Sequence, residues 1–339
     1  MAYITLSKRN FFNNLDIIAQ RSKAKDKIAL VLKDNAYGHG LCEMAKMAQE
    51  YGINKAVVRS FDEAQRIEEF FEYILVLSDM PKSANSKIRY TINDLSAISR
   101  FPKATKVELK VNTGMNRNGI EMHQLRESFS LIKKEGLILE AVFTHHSSAD
   151  EDTAIFDFQN EQFSKVKEEV KFLAKEFDFQ TLRFHSCNSA ALFRVKNFDE
   201  DMARIGIGAY GCLELDGSAD VDKLQPVLSV YAKKNSTRVL VPGAAVGYGA
   251  SYVSKKESVI GNYDFGYGDG FLRACSSGYK TPEGVELLGR ISMDNSSFLS
   301  DKEELLIFND ARVIAKSAQT ISYEILTSLK PDLKRVVLE

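Results

Sequence analysis

At 339 residues the chain is long enough for two domains with sizeable cores. Its 45 basic and 46 acidic side chains nearly cancel, which leaves no electrostatic footprint for nucleic acid or for an anionic membrane surface. Cys42, Cys187, Cys212 and Cys275 lack metal-ligand spacing, and so few cysteines in so long a chain predict reduced thiols and a cytoplasmic setting, with no metal. The opening MAYITLSKRN has no apolar core of signal-peptide type and no apolar run reaches bilayer length, so no membrane partner is expected.

In chain order, AYITL is followed by one helical stretch over 8–21 before the first predicted barrel strand. From 27 to 211, short β-branched runs alternate with stretches of helical period. Strands are predicted over 27–33, 55–60, 73–79, 88–92, 106–112, 139–146, 182–188 and 203–210, the third and fourth having the weakest pattern. Leu41, Met44, Ala45, Ala48 and Tyr51 recur at helical spacing between the first two, and Phe163, Val166, Val170 and Leu173 do so further on. Eight strand–helix units in series predict an α/β fold, a (β/α)8 TIM-like barrel over 6–217, rather than an open sheet. The polar stretch 218–222 is the predicted linker. Beyond it PVLSVYAKK, TRVLVPG, SVIGNYDFGYG and VELLGRISMD follow one another with little helical period, which predicts a second, mostly-β domain over 218–339.

Lys33 ends the run IALVLK and is followed at once by DNAYGHG. A lysine where a buried strand breaks into a glycine-rich turn can be held partly desolvated, with an amine that stays neutral and nucleophilic. Taken alone, it is more often a solvated strand end. The carboxyl ends of strands line the active face of such a barrel, and the distinctive residues fall there on five strands. Lys33 ends the first, Lys110 lies near the end of the fifth and His145 ends the sixth; His185 and Ser189 follow the seventh, and Arg204 lies within the eighth. HSCNSAAL (185–192) sets Ser189 at the mouth of a helix, and RIGIGAYG (204–211) supplies Gly206 and Gly208, where backbone can approach an anion.

KDNAYGHG (33–40) resembles the cofactor-lysine motif of the alanine racemases, and further motifs follow in that family's order as far as Tyr323. The resemblance implies pyridoxal 5'-phosphate bound through Lys33, its phosphate held by Tyr37, Ser189, Gly206, Ile207 and Tyr323. It places Arg204 at the pyridine nitrogen with His185 behind it; an arginine, always cationic, disfavours protonation of that nitrogen. Racemisation needs proton transfer on both faces of one α-carbon. VGYGASY (246–252) resembles the family's catalytic tyrosine motif, which selects Tyr248 as the group opposite Lys33, with His145 and Arg204 as nearby cations that favour its phenolate.

For the substrate carboxylate, the family pattern selects Arg117 in LKVNTGMNRNG (109–119) and the backbone N–H of Met293 in GRISMDNSS (289–297). Lys110 matches a lysine that is carbamylated in many members, but Asn112, Asn116 and Asn118 stand where the family usually has aspartate, glycine and leucine. The modification of Lys110 is left open by those departures. GYGDGFLR (266–273) resembles the family's GYADG motif and puts Tyr267 near the substrate entrance. The resemblance further implies that the N-terminal segment 1–5 returns to the β domain. It also implies a head-to-tail homodimer with composite sites, in which Tyr248 and Met293 reach the cofactor of the other subunit. The expected activity is interconversion of L- and D-alanine, supplying D-alanine for peptidoglycan. A racemase for serine or for a broader set of amino acids is the alternative, since one hydroxyl in a small pocket discriminates weakly. A decarboxylase on the same barrel is opposed by Arg204, and a non-catalytic pyridoxal phosphate-binding barrel by the β domain that carries Tyr248.

Overall fold

The computed structural model describes residues 1–276 and 278–339. The chain starts with β1 (Tyr3–Ser7) and a helix over Lys8–Ser22, whose first turn is capped by the Ser7 hydroxyl accepting from Asn10 N. Eight parallel strands follow: β2 (Ile28–Val31), β3 (Lys55–Val58), β4 (Tyr73–Val76), β5 (Ile88–Ile92), β6 (Lys106–Lys110), β7 (Ile138–Phe143), β8 (Arg183–His185) and β9 (Ala203–Ile205). They pair in the order β8-β7-β6-β5-β4-β3-β2-β9. The last gap is narrowed by Asp201 N donating to Phe184 O at 3.1 Å and Arg204 N to Cys187 O at 2.9 Å, so the sheet nearly closes into a barrel. Runs such as IALV and YILV are apolar throughout because such strands are covered on both faces, and all eight of those residues are buried.

The eight predicted strands are present, but several end earlier than the apolar runs suggest. The predicted 203–210 stops at Ile205 because Gly206 and Gly208 turn the backbone there, and 182–188 is only Arg183–His185. The predicted alternation also has gaps. No α-helix lies between β4 and β5, and only a short 3-10 stretch, Leu95–Arg100, separates β5 from β6. Elsewhere the periodic residues do face inward: Leu41, Met44, Ala45 and Ala48 are buried on the helix Leu41–Tyr51, as are Phe163, Val166, Val170 and Leu173 on Ile155–Glu176.

The second unit is built on the long strand β10 (Leu228–Leu240), with a small hairpin of β11 (Ala245–Val246) and β12 (Tyr252–Val253) beside it. Its main sheet adds β13 (Ser258–Tyr263), β14 (Leu287–Leu288), β15 (Ser296–Phe298), β16 (Glu304–Phe308) and β17 (Lys334–Leu338). The order is β14-β15-β13-β10-β1-β17, with β16 on β10. The N-terminal β1 therefore does lie in the second sheet, antiparallel to β10 and parallel to β17. Two helices over Ala311–Ala318 and Ser322–Ser328 interrupt the β pattern; they are short and were not evident from the sequence. No helix among the described residues is long and apolar enough to cross a membrane.

Candidate active site

Lys33 follows β2 by two residues, at a turn of unusual hand. Asp34, Asn35, Ala36 and Tyr37 all have positive φ, between 50° and 55°, ahead of Gly38 at 74°. Left-handed helical backbone costs roughly 1–2 kcal/mol for each residue with a Cβ, so the turn persists only because its surroundings fix it. Glu63 Oε1 accepts from Asp34 N at 2.7 Å, and Asn35 Oδ1 accepts from Leu41 N at 2.9 Å. His39 Nδ1 donates to the carbonyls of Tyr37 and Ala36, at 2.9 and 3.1 Å. From β17, Arg335 donates to Gly38 O through Nη2 at 2.8 Å and Nε at 3.1 Å. Gly38 is itself required, since a Cβ there would lie 2.0 Å from Leu326 O.

This turn throws the Lys33 side chain into an open cavity of about 590 Å³ at the carboxyl ends of the barrel strands. The Lys33 side chain is 36% exposed, and its amine is 3.5 Å from Asp34 Oδ2. Burial pushes the Lys110 amine down to about 8, with Arg204, Arg117 and Lys33 adding to the effect. Lys33, Lys110, Arg117 and Arg204 thus gather positive charge in this cavity.

One wall of the cavity forms an anion cradle. Ser189, opening the helix Ser189–Arg194, accepts through its hydroxyl oxygen from Gly206 N at 3.1 Å and Gly208 N at 3.2 Å. A Cβ on Gly206 would come within 2.8 Å of the Tyr37 hydroxyl, which explains the glycine. The Tyr37 and Tyr323 rings lie 5.8 Å apart, and Ile207 completes this wall. Burial raises the pKa of both phenols, so both hydroxyls stay protonated and can donate. The two protonated phenols can donate to a phosphate monoester beside the Gly206–Gly208 turn, with Asp34 and Asp150 elsewhere on the same cavity lining.

Arg204 closes the floor. Its Nη1 meets His185 Nδ1 at 2.6 Å, and Nη2 donates to Thr144 O at 2.7 Å and Ser186 O at 3.1 Å, all buried. Among the described residues it pairs with no carboxylate directly. Behind it, His185 Nε2 is 2.9 Å from Glu108 Oε2, whose other oxygen receives the Tyr73 hydroxyl at 2.6 Å and Arg183 at 2.9 Å. Burial would raise the pKa of Glu108, but His185, Arg183 and Tyr73 outweigh it and hold the carboxyl down to about 2. Glu108 was missed in the sequence because KVELK shows only a polar residue inside a strand. His145, expected as a cation, is held well below its ordinary range by burial and by Arg204, Lys110 and Arg117, so it is neutral; Arg204 alone keeps the charge.

Arg117 sits on the loop after β6, which Asn112 shapes by accepting from Gly114 N and Asn116 N, at 3.1 and 3.0 Å. This asparagine does by amide what a carboxylate would do by charge. Lys33, Tyr37, Lys110, Arg117, His145, Ser189, Arg204, Gly206, Ile207 and Tyr323 thus line one cavity, with His185 directly behind it. Tyr248, Tyr267 and Met293 do not line it. They lie on the second unit, 61%, 39% and 56% exposed, with Arg273 5.7 Å over the Tyr248 ring and Tyr267 N donating to Ser292 O beside Met293.

The family model for the alanine racemase N-terminal domain matches residues 6–214, and that for the C-terminal domain matches residues 227–337. An alanine racemase from a Nitratiruptor species is 43% identical over 339 residues, covering 100% of both chains. Among solved structures, an alanine racemase from Clostridium difficile 630 superposes with a TM-score of 0.89 at 26% identity, covering 100% of this chain and 96% of its own. The alanine racemase of Bacillus anthracis with bound L-Ala-P gives 0.86 at 27% identity, covering 100% and 95%. With both domain models matched and a relative similar along its whole length, the chain belongs to the alanine racemase family.

Proposed function

We propose that the protein interconverts L- and D-alanine, using pyridoxal 5'-phosphate bound through Lys33, and that the D-alanine serves peptidoglycan synthesis in the cytoplasm. The observation that carries this reading is the joining of an amine, an anion cradle and an arginine floor in one cavity. When bound, the cofactor supplies an electron sink that acidifies the substrate α-carbon. Ser189, Gly206, Ile207, Tyr37 and Tyr323 would hold its phosphate, and Arg204 would serve as the partner of its ring nitrogen.

Arg117 and the Met293 N–H bind the substrate carboxylate. Lys33 moves the α-proton on one face and Tyr248 on the other. Because Tyr248, Tyr267 and Met293 stand exposed and outside the Lys33 cavity, they are read as belonging to the site of a second copy, in a head-to-tail homodimer. The barrel, 6–217, then holds the cofactor, while the β domain, 218–339 with 1–5, presents Tyr248. Borohydride reduction followed by peptide mapping tests the assignment: a pyridoxyl group on Lys33 is expected, and label on another lysine overturns it. A panel of L-amino acids decides the substrate, alanine being expected to turn over fastest and serine next.

A further inference from the structure

We propose that Glu108 is a positioning residue, whose carboxylate fixes the proton of the His185 ring on Nε2 and so leaves Nδ1 as a standing acceptor for the Arg204 guanidinium. A guanidinium offers only donors, so its 2.6 Å contact with His185 Nδ1 requires a lone pair on that nitrogen. A neutral ring with a bare Nδ1 carries its proton on Nε2, which lies 2.9 Å from Glu108 Oε2. An ionised carboxylate only accepts, and this one is kept ionised by Tyr73 at 2.6 Å and Arg183 at 2.9 Å on its other oxygen. The ring has little freedom to turn, because it stacks on Phe143 with centroids 4.6 Å apart and planes 12° from parallel. Glu108, His185 and Arg204 have fully or almost fully buried side chains on β6, β8 and β9, so no water competes for these bonds.

The functional consequence rests on the reading of Arg204 as the partner of the cofactor ring nitrogen. With the tautomer fixed, the guanidinium is held in one orientation. With it free, a proton on Nδ1 would oppose the Arg204 N–H and drive the guanidinium out of place. Glu108→Gln exploits this. Tyr73 and Arg183 are both donors and claim the amide oxygen, so the NH2 turns to His185 and moves the ring proton to Nδ1.

The test is nitrogen NMR of the imidazoles in the purified protein, with His185 assigned through His185→Gln. The native chain should show a protonated Nε2 and a bare Nδ1, Glu108→Gln the reverse, and Glu108→Asp the native pattern. A native ring protonated on Nδ1, or on both nitrogens, would overturn the proposal even if neither variant folds. With pyridoxal phosphate present, Glu108→Gln should lower kcat for alanine by roughly 10- to 100-fold, as loss of a hydrogen bond to a charged group implies, with KM little changed and the cofactor absorption band displaced. An unchanged band and kcat would overturn the functional half. Because the ring measurement needs no cofactor, it stands apart from whether Lys33 binds one.

Discussion

The cavity around Lys33 and the surface around Tyr248 are built on opposite plans. In the barrel, Arg204, His185 and Glu108 are buried, mutually hydrogen-bonded and shifted in acidity by one another. On the second unit, Tyr248 is 61% exposed, and the nearby cation is Arg273, 5.7 Å from its ring. The first region turns its charged groups inward, whereas the second presents chemistry outward. In a family whose reaction needs a group on each side of one carbon, this contrast points to two chains completing each site. The comparison can be broken or sharpened by treating the two regions separately.

The largest effect is expected at Tyr248. Tyr248→Phe should lower racemisation in both directions by on the order of 10²- to 10⁴-fold, the usual contribution of a general acid–base group. It should still exchange the α-proton of D-alanine with deuterated solvent faster than that of L-alanine, because Lys33 remains. Equal loss of exchange for both enantiomers would reduce Tyr248 to a positioning role.

A second effect belongs to the turn that carries Lys33. Burial depresses His39 from 6.5 to about 4, against the opposing pull of the Tyr37 and Ala36 carbonyls. The unfolded chain therefore takes up a proton below 6.5 that the folded chain refuses down to about 4. Folding stability should be unaffected by this group above pH 6.5 and fall between 6.5 and 4, by on the order of 3 kcal/mol. Urea unfolding at several pH values would show this slope, and His39→Gln should flatten it. A slope unaltered in the variant would mean that His39 does not hold the turn as a neutral donor.

Gly206→Ala is expected to act next. Its Cβ would sit 2.8 Å from the Tyr37 hydroxyl and crowd the anion cradle, weakening pyridoxal phosphate binding by roughly 1–3 kcal/mol, the usual cost of overpacking. Fluorescence titration of the cofactor measures it. Smallest of all, Tyr248→Phe should change the thermal stability of the chain by less than about 0.5 kcal/mol, as an exposed position allows. A large loss would place Tyr248 in the structural core of its own chain.

Much of the scaffold was legible because parallel strands covered on both faces appear as continuous apolar runs: IALV and YILV begin where β2 and β4 begin. Their ends were not legible, since an apolar residue continues a run whether it belongs to a strand or to the turn that follows. The left hand of the turn over 34–37 was not legible either, although the glycines after it marked a turn. It contains no glycine, and its conformation is imposed by Glu63, His39 and Arg335, the last almost 300 positions away. Motifs brought Ser189, Arg204 and Gly206 to notice and the family resemblance brought Tyr323, and these share a cavity with Lys33. Glu108 could not be noticed in this way, because its meaning depends on Tyr73, Arg183 and His185 arriving from other strands. The neutral state of His145 was hidden for the same reason: it depends on how many cations the barrel gathers, which no single motif displays.

The division between a buried barrel network and an outward-facing tyrosine is tested most directly by mixing two inactive proteins, Lys33→Ala and Tyr248→Phe. If each site takes Lys33 from one subunit and Tyr248 from the other, exchange of subunits should restore part of the racemase activity, since a mixed dimer contains one site with both groups. If the subunits demonstrably exchange and no activity returns, Lys33 and Tyr248 serve within one chain and the account of composite sites is wrong.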